Sequence, residues 1–344
     1  MNRFEVMTKR CDVHGLVYFL RDLHTKATAT VLTAMGANCI QLSLSPDGES
    51  PAVAVINDFA NAVKTKEQPF RYGIPILFPW PSNIPNGVFQ FEDKVYRLRE
   101  SDESLTTQHG YAQNTVWRVL RSDCDDTGAW VTCALSSDEC PEAYTKTYPG
   151  KFELEFTWKL TAKGFLMEMQ ARNTGSAAMP MGLGLHPYFS VPLGPKGRRD
   201  DVRLHVDATR QWDLSAILKV KPGEKSSAEL FLPEPTFDVS AEGGTPLADT
   251  AFNHVLEADF RKNETAATMD DAANGLRLKV TGDRAFGTWV LYSPSDRPVI
   301  SLEPWTMVPN AFNLASAGVD NGGMITLKPG DTWRGTMGIS LERL

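Results

Sequence analysis

Alternation of apolar and polar residues is the dominant pattern along this chain of 344 residues. From Phe152 to Leu160, apolar side chains alternate with Glu, Glu, Thr and Lys, and residues 276–281 repeat the pattern. A period of two residues places successive side chains on opposite faces of a β-strand, one buried and one in solvent. The same reasoning predicts strands over Thr28–Leu44, Val88–Leu98, Trp130–Leu135, Phe165–Ala171, Trp289–Tyr292 and Met324–Leu327.

Turn-forming residues separate these strands, at 85–87, 162–164, 173–175 and 328–331. Helical periodicity is scarce, and only Pro51–Lys66 and Ser137–Tyr144 predict short helical segments. The loops at 194–201, 221–227 and 242–249 are too short to separate independent domains. The pattern therefore predicts an all-β fold, a large antiparallel β-sandwich, formed by a single domain that spans residues 1–344.

Charge and composition exclude several classes of function. The chain carries 35 basic and 42 acidic residues, a formal net charge of −7, whereas a nucleic-acid-binding surface needs a basic face. No apolar run approaches the roughly 18 residues that cross a bilayer, and the N-terminus lacks the apolar stretch of a signal peptide. Five cysteines without metal-ligand spacing predict free thiols. We expect a cytoplasmic protein that binds neither nucleic acid nor membranes; the sequence does not indicate its oligomeric state.

Two segments suit a binding site. Residues Gly73–Pro81 contain three prolines within seven residues, which removes hydrogen-bond donors from any central strand and so predicts a rigid, irregular wall. Trp80 lies on this wall and suits the apolar face of a sugar; the alternative is a structural edge segment. His109 stands beside Gly110, where an uncrowded backbone lets a ligand approach closely. The alternative there is a structural histidine.

Two ionisable residues precede a proline at the end of an apolar run. His186 follows Gly182–Leu185, and Glu303 follows Val299–Leu302. Because proline favours extended geometry in the residue before it and blocks a central strand, we expect both side chains where strands end. A carboxylate after such a run is partly buried, which is costly unless it is paired or functional. The alternative is a buried carboxylate that backbone donors satisfy.

Together these segments resemble the aldose 1-epimerase family, the galactose mutarotases. The resemblance rests on GIPILFPWP at 73–81, on His109-Gly110 followed by Trp117, on HPYF at 186–189 and on EPWTMVPNAFN at 303–313. These motifs occur in the order and approximate spacing of the family, and the resemblance covers nearly the whole chain from about residue 34. It implies a large antiparallel β-sandwich with an open sugar-binding cleft, which agrees with the strand pattern.

The resemblance also implies roles for individual residues. Glu303 stands where the family has its general base, and His186 stands where it has the general acid. His109 falls where a second histidine holds the sugar, and Tyr188 lies in the stretch that contacts substrate.

Two departures from the family pattern concern the choice of sugar. Asn83 stands where the family has an arginine after the PWP segment, and Asn253 stands where it has an aspartate ahead of His-Val. Both substitutions replace a charge with an amide that still forms hydrogen bonds. They leave the identity of the sugar open, while the proton-transferring residues are kept.

Mutarotation, the reaction that the resemblance implies, removes a proton from the C1 hydroxyl and gives one to the ring oxygen. A positioned base and acid suffice, each contributing roughly 10²–10⁴-fold, so neither a cofactor nor a metal is expected. With ordinary pKa values of about 4.3 and 6.5, Glu303 is ionised at neutral pH and His186 can supply a proton. We expect these two side chains to face each other across one sugar-sized pocket.

Other functions fit parts of the sequence. A hexose-6-phosphate 1-epimerase resembles this family but has an arginine after the histidine motif, where this chain has Gln113; Arg71 is the residue best able to bind a phosphate. A non-catalytic sugar-binding module would keep the cleft, yet it gains little from a base and an acid. A lyase or hydrolase would need a second carboxylate, for which the sequence has no motif.

Overall fold

The structure is a computed structural model, and it describes residues 2–12, 15–58, 60, 71–98, 108–226, 229–236, 243–248, 251–294 and 296–344. The strands in this part of the chain are β1 (Phe4–Cys11), β2 (Gly15–Asp22), β3 (Thr28–Leu32), β4 (Asn38–Leu44), β5 (Val53–Asn57), β6 (Ile76–Leu77), β7 (Val88–Phe91), β8 (Lys94–Arg97), β9 (Arg118–Asp125), β10 (Gly128–Ser136), β11 (Phe152–Thr161), β12 (Gly164–Asn173), β13 (Met179–Met181), β14 (Gly184–Leu185), β15 (Tyr188–Ser190), β16 (Val202–Val206), β17 (Ala208–Gln211), β18 (Thr245–Pro246), β19 (Asn253–Ala258), β20 (Glu264–Asp271), β21 (Leu276–Asp283), β22 (Thr288–Tyr292), β23 (Val299–Trp305), β24 (Ile325–Leu327) and β25 (Thr332–Arg343).

Helices are short in the described residues. The α-helices are α1 (Glu142–Thr145), α2 (Leu214–Lys219) and α3 (Ala311–Ser316), and single 3₁₀ turns occur at Pro85–Gly87, Ala112–Asn114, Ser137–Glu139, Arg199–Asp201 and Asp320–Gly322. Within the described ranges, none of the helices has the length and apolar character needed to span a lipid bilayer.

Three large antiparallel sheets form the body of the molecule. The first contains β1 to β5 in chain order, and the second has nine strands in the order β18-β16-β20-β21-β25-β12-β11-β10-β9. The third runs β17-β19-β22-β23-β14-β6, with β15 also paired to β23. Buried side chains from all three sheets belong to one continuous apolar cluster. The predicted all-β, antiparallel sandwich is therefore confirmed.

Strand β11 illustrates how the alternating pattern produces this packing. Its apolar residues at every second position are fully buried, while the intervening residues are partly exposed. A tight turn returns the chain to β12, so that Phe152 pairs with Asn173 and Thr161 with Gly164. The indole N–H of Trp158 on the buried face donates to the carbonyl oxygen of Ala37 at 2.9 Å. This bond joins the nine-stranded sheet to the β3–β4 connection of the five-stranded sheet.

Two of the predicted strands are each divided by a chain reversal. The segment Thr28–Leu44 forms β3 and β4, because residues 33–37 turn through left-handed backbone at Gly36 (φ +65°) and Ala37 (φ +51°). The segment Val88–Leu98 forms β7 and β8, with Glu92 at φ +51° in the turn. In the second segment the polar residues Glu92–Lys94 mark the reversal, whereas in the first only Thr33 and Gly36 interrupt the apolar residues around the turn.

The helix predicted over Pro51–Lys66 is wrong in its first half. Val53–Asn57 is strand β5, in which Ile56 pairs with Leu42 of β4. Valine and isoleucine favour a half-buried sheet position over a helix, and the neighbouring strand decides between the two. Residues 59 and 61–66 of this prediction lie outside the described residues. The helical segment predicted over Ser137–Tyr144 is confirmed by a 3₁₀ turn followed by α1.

Candidate active site

The floor of the candidate site is one face of the seven-stranded sheet. Ser301, Glu303 and Trp305 alternate along β23, so their side chains point to the same face. In the adjacent strand β22, Val290 pairs with Glu303 and Tyr292 pairs with Ser301. The period of two thus places the predicted base between a serine and a tryptophan on a single rigid strand.

A cleft of about 640 Å³ lies over this face. The volume is within the range of roughly 300–1,000 Å³ that is common for small-molecule sites. Polar and aromatic side chains predominate in its lining, which consists of Arg71, Ser82, Asn83, Gln108, His109, His186, Tyr188, Leu214, Leu218, Asn253, Val290, Tyr292, Pro294, Asp296, Arg297, Glu303 and Trp305. The cleft reaches the surface, because Asn83 and Asn253 are exposed to solvent.

Glu303 lies within β23 and not at its end, so the position predicted from Pro304 is wrong. The amide of Thr306 donates to the oxygen of Leu183 at 2.8 Å, and backbone groups of alternate residues point to the same side of a strand. The nitrogen of Pro304 therefore faces the same side, where the neighbouring chain is interrupted between β14 and β15. The strand tolerates the proline because no neighbouring strand lies on that side. The backbone N–H that proline lacks would therefore have had no carbonyl oxygen to pair with.

His186 occupies that interruption, between the end of β14 and the start of β15. The prediction that it lies where a strand ends is confirmed. Its backbone N–H donates to the oxygen of Pro75 at 3.1 Å, which ties the turn to the proline-rich wall. The break in the sheet thus both accommodates Pro304 and brings an imidazole next to Glu303.

The two proton-transferring candidates lie side by side and not across a pocket from each other. Nε2 of His186 is 3.3 Å from Oε1 of Glu303, and the two residues are only 5% and 1% exposed. The expected opposed arrangement is therefore wrong. In the mutarotation that the resemblance implies, the C1 hydroxyl oxygen and the ring oxygen are bonded to the same carbon. A base and an acid that serve these two oxygens have to be neighbours.

Each oxygen of the Glu303 carboxyl group has a different environment. Oε2 accepts a hydrogen bond from the indole N–H of Trp305 at 3.2 Å. Oε1 is buried and makes no hydrogen bond to any described residue, despite its proximity to His186. Because buried polar atoms are rarely left without a partner, an unsatisfied acceptor at the floor of a cleft suits a ligand hydroxyl. This oxygen is the group best placed to accept a proton.

Two side chains hold the imidazole of His186. Oγ of Ser301 lies 2.9 Å from Nδ1, and the hydroxyl of Tyr188 lies 3.2 Å from Nε2. The Tyr188 and His186 rings also stack, with centroids 4.5 Å apart and planes at 20°. When Nδ1 donates to Ser301, Nε2 is the nitrogen left to exchange a proton beside Glu303.

Burial changes the acid–base properties of this pair. It raises the pKa of Glu303 well above its usual range, against an opposing effect of the Trp305 hydrogen bond. Burial also lowers the pKa of His186 well below its usual range, with further lowering by His109 and Arg297. The expectation of an ionised Glu303 and a protonated His186, drawn from ordinary pKa values, does not hold for the buried pair. Each group by itself favours its neutral form.

Ser82, the residue that follows the proline-rich wall, holds His109 in place. Its backbone N–H donates to the oxygen of Ser82 at 2.7 Å, while the N–H of Ser82 donates to Nδ1 of the His109 ring at 2.9 Å. Nε2 therefore carries the ring proton and can donate. Burial lowers the pKa of His109 to about 3, so the ring is neutral at physiological pH. His109 lines the cleft as a hydrogen-bond donor without charge.

Backbone geometry explains why His109 is followed by glycine. His109 has a φ of +64° and Gly110 a φ of +65°, so the chain makes two consecutive left-handed steps. A side chain at Gly110 would lie 2.2 Å from the oxygen of Phe78. The glycine permits close contact between two backbone segments, not the ligand approach that the sequence suggested.

Trp80 does not contribute to the cleft. Its side chain is fully buried and packs against Tyr111 and Tyr148, with ring centroids 5.8 Å away in each case, and against Phe312 at 6.4 Å. The interpretation of Trp80 as a surface for a sugar is therefore wrong, and the structural alternative is right. The proline-rich wall turns its indole into the core and presents Ser82 and Asn83 to the cleft.

The remaining predicted residues line the cleft. Arg71, Tyr188, Asn83 and Asn253 all belong to its lining, although Arg71 is already paired with Asp296 at 2.5 Å. These residues come from four separate parts of the chain, which the fold brings around one space. The structure therefore brings seven of the eight predicted site residues together, all except Trp80.

Sequence reasoning missed several members of the site. Ser301 and Trp305 could have been found, because each is two residues from Glu303 in a strand. Gln108 adjoins His109, and its side-chain amide lies 3.2 Å from the His109 ring. Arg297 and Tyr292 carry no signal in the sequence, since only the pairing of β22 with β23 and the loop between them bring these side chains to the cleft.

Comparisons with solved structures agree with this architecture. A galactose mutarotase-like protein from Clostridium acetobutylicum superposes with a TM-score of 0.81 at 21% identity, covering 99% of both chains. Galactose 1-epimerase from Lactobacillus acidophilus NCFM superposes with a TM-score of 0.70 at 17% identity, covering 100% of this chain and 99% of that chain. At such identities the likeness establishes the fold.

Sequence comparison extends the likeness to relatives. The protein is 24% identical over 262 residues to the uncharacterized protein YihR of Escherichia coli (strain K12), covering 75% of this chain and 76% of YihR. It is 25% identical over 237 residues to the chromosomal protein LacX of Lactococcus lactis subsp. lactis, covering 67% of this chain and 73% of LacX. The family model described as Aldose 1-epimerase matches residues 23–340. By this match over most of its length, the chain belongs to the aldose 1-epimerase family.

Proposed function

We propose that this protein interconverts the α and β anomers of a neutral aldose, with Glu303 as the base and His186 as the acid. The observation that carries the proposal is the buried Oε1 of Glu303, which lacks a hydrogen-bond partner among the described residues and lies 3.3 Å from Nε2 of His186. An acceptor and a proton donor at this separation match two oxygens that share one carbon. Both side chains lie at the floor of a cleft of adequate volume.

The proposed reaction conserves protons. Glu303 takes the proton of the C1 hydroxyl while His186 gives a proton to the ring oxygen, so the bond from C1 to the ring oxygen breaks and C1 becomes a carbonyl carbon. Rotation about the C1–C2 bond then exposes the other face of the carbonyl. In the return step the former ring oxygen attacks C1, His186 recovers its proton and Glu303 returns the other. His109 donates a hydrogen bond to the sugar without changing charge.

The buried pair is suited to hold one proton in total. Because burial disfavours both a net positive and a net negative pair, the state with a single shared proton is stabilised over a wide pH range. A substrate hydroxyl that donates to Oε1 favours the carboxylate form of Glu303, and the proton then resides on His186. Substrate binding thus produces the charged pair that the chemistry needs. No cofactor is required for these steps.

A neutral sugar fits the charges of the cleft better than a phosphorylated one. The two arginines in the lining are each matched by an aspartate: Arg71 with Asp296 at 2.5 Å, and Arg297 with Asp58 at 3.4 Å. A phosphate would have to displace a carboxylate from one of them. The exposed amides of Asn83 and Asn253 can hydrogen-bond uncharged hydroxyls.

The test is polarimetry of freshly dissolved α-anomers of glucose, galactose and xylose, with and without the protein. We expect accelerated mutarotation, and Glu303→Gln should lower kcat by roughly 10²–10⁴-fold while leaving the protein folded. Glu257→Gln is the matched control, since Glu257 is a buried glutamate on β19 outside the cleft lining. Near-normal turnover in Glu303→Gln would exclude this residue as the base.

A non-catalytic sugar-binding module is the second outcome that the same experiment resolves. Calorimetric binding of a sugar without any acceleration of mutarotation by the wild-type protein would favour that function. The adjacent base and acid argue against it, because a binding protein gains nothing from an unsatisfied carboxylate oxygen beside an imidazole.

A further inference from the structure

Arg297 occupies an unusual position in the cleft lining. It lies in the loop between β22 and β23, and its side chain is only 15% exposed. Nη2 donates to the backbone oxygen of Arg71 at 2.6 Å, and Nη1 lies 3.4 Å from Oδ1 of Asp58. The guanidinium carbon is 4.7 Å from the ring centroid of Tyr188 and 5.1 Å from that of Tyr72. These contacts hold the group in one orientation.

The hydrogen bonds do not exhaust the donors of this guanidinium. An arginine has five N–H donors, and the contacts above engage two of its nitrogens. Nε is buried and has no partner among the described residues. Since an unsatisfied buried donor is costly, a cleft-lining guanidinium with unused donors suits an oxygen ligand. Its rigid attachment means that little entropy is lost when such a ligand binds.

Pairwise contacts connect Arg297 to the Glu303–His186 pair through Tyr188. Glu303 adjoins Nε2 of His186, the hydroxyl of Tyr188 adjoins the same nitrogen at 3.2 Å, and Arg297 stacks on the Tyr188 ring. The contacts thus run from the proposed base to the proposed acid, then to the tyrosine and the arginine. In a pyranose the ring oxygen is bonded to C1 on one side and to C5 on the other. A sugar with C1 at Glu303 and its ring oxygen at His186 consequently directs C5 and its exocyclic C6 towards Tyr188 and Arg297.

We propose that Arg297 is a specificity-determining residue that donates a hydrogen bond to the C6 hydroxyl of a hexose. This inference rests on the proposed function, because the assignment of His186 to the ring oxygen sets the orientation of the sugar. Arg297 favours a neutral hydroxyl over an anion, since Asp58 and Asp296 already balance the two arginines at this end of the cleft. The preferred substrates are hexoses with an oxygen on C6, ahead of 6-deoxyhexoses and pentoses.

The experiment compares sugars that differ only at this position. D-Galactose, 6-deoxy-D-galactose and L-arabinose share the ring hydroxyls. D-Galactose has the complete C6 hydroxymethyl group, 6-deoxy-D-galactose lacks the oxygen on C6, and L-arabinose lacks C6 altogether. Mutarotation rates with the wild-type protein should give a kcat/KM for galactose roughly 10–100-fold above that for 6-deoxygalactose, as expected for a hydrogen bond to a charged donor. The difference should appear mainly in KM.

The variant for this test is Arg297→Lys, which keeps a positive charge near Asp58 but loses the planar guanidinium group and its N–H donors. Its kcat/KM for galactose should fall by about tenfold more than its kcat/KM for 6-deoxygalactose. Arg210→Lys is the matched control, because Arg210 also stacks on an aromatic ring, Phe231, and pairs with a glutamate, Glu257, but lies outside the cleft lining. That control should not change the ratio between the two sugars.

The possible results separate this inference from the proposed function. If the wild-type protein accelerates mutarotation of all three sugars equally, or if Arg297→Lys lowers all rates in parallel, Arg297 has a structural role and only this inference fails. A galactose 6-phosphate that reacts faster than galactose would also overturn it, because the site would then recognise an anion. If no sugar is turned over by the wild-type protein, the proposed function itself fails.

Discussion

Ser301→Ala tests whether a buried residue outside the cleft positions the acid. Ser301 is fully buried on β23, and its Oγ lies 2.9 Å from Nδ1 of His186. Ser301 does not belong to the cleft lining, so it acts on the sugar only through the imidazole. The substitution removes a small polar group and leaves Nδ1 without this partner in a place where water cannot easily replace it.

The magnitude follows from the charge that His186 carries during the reaction. A hydrogen bond to a charged group contributes about 1.5–3 kcal/mol, and each 1.36 kcal/mol corresponds to a factor of ten. We therefore expect kcat to fall about 10- to 150-fold with little change in KM. The pKa of His186 should fall further, because the protonated ring loses an acceptor and the neutral ring loses less.

The assay is steady-state polarimetry combined with urea unfolding. Ser301→Thr keeps a hydroxyl and should recover part of the loss, whereas Ser190→Ala in the adjacent strand β15, outside the cleft lining, should leave kcat unchanged. A folded Ser301→Ala protein with wild-type kcat would refute the reasoning. A parallel rise in KM would do so as well, because it would show that the cleft itself had changed shape.

Two further predictions concern the single proton shared by Glu303 and His186 and the packing of Trp80 in the core. An exposed Glu–His pair with ordinary pKa values would lose activity above about pH 6.5 as the imidazole deprotonates. In this protein burial raises the pKa of Glu303 and lowers that of His186, so the pair keeps its single proton. We therefore expect kcat/KM to stay flat through neutral pH. A decline centred near pH 6.5 in the pH–rate profile would contradict this. Trp80→Ala should lower the free energy of unfolding by about 3–5 kcal/mol, as for other large aromatic residues in a core, without raising KM. Denaturant titration and sugar kinetics check the two parts, and a raised KM at unchanged stability would show that the indole contacts the sugar.

Much of the fold was predictable because its cause is local. Alternation over Phe152–Leu160 specifies which face of β11 is buried, whatever strand pairs with it. The predictions failed where the deciding interaction was distant in sequence. Val53–Asn57 becomes a strand because β4 lies beside it, and the reversal at Gly36 and Ala37 leaves only a weak signal, a threonine and a glycine among apolar residues.

The site divides in the same way. His186 and Glu303 stand out in the sequence because each ends an apolar run and precedes a proline, and together with the resemblance to the family this local signal singled out two residues that adjoin in space. A period of two also places Ser301, Glu303 and Trp305 on one strand face, but the sequence predicted that the strand ends at Glu303, and only the structure shows that it continues to Trp305.

Only the tertiary structure decided how these groups act. The 3.3 Å contact between His186 and Glu303 joins residues more than a hundred positions apart, and the burial that changes both pKa values comes from the strands and loops packed around them. Trp80 turns into the core, and Arg297 reaches the cleft, for the same reason. The direction of a side chain and the solvent around a charge depend on neighbours that are remote in the chain, which no local pattern of residues contains.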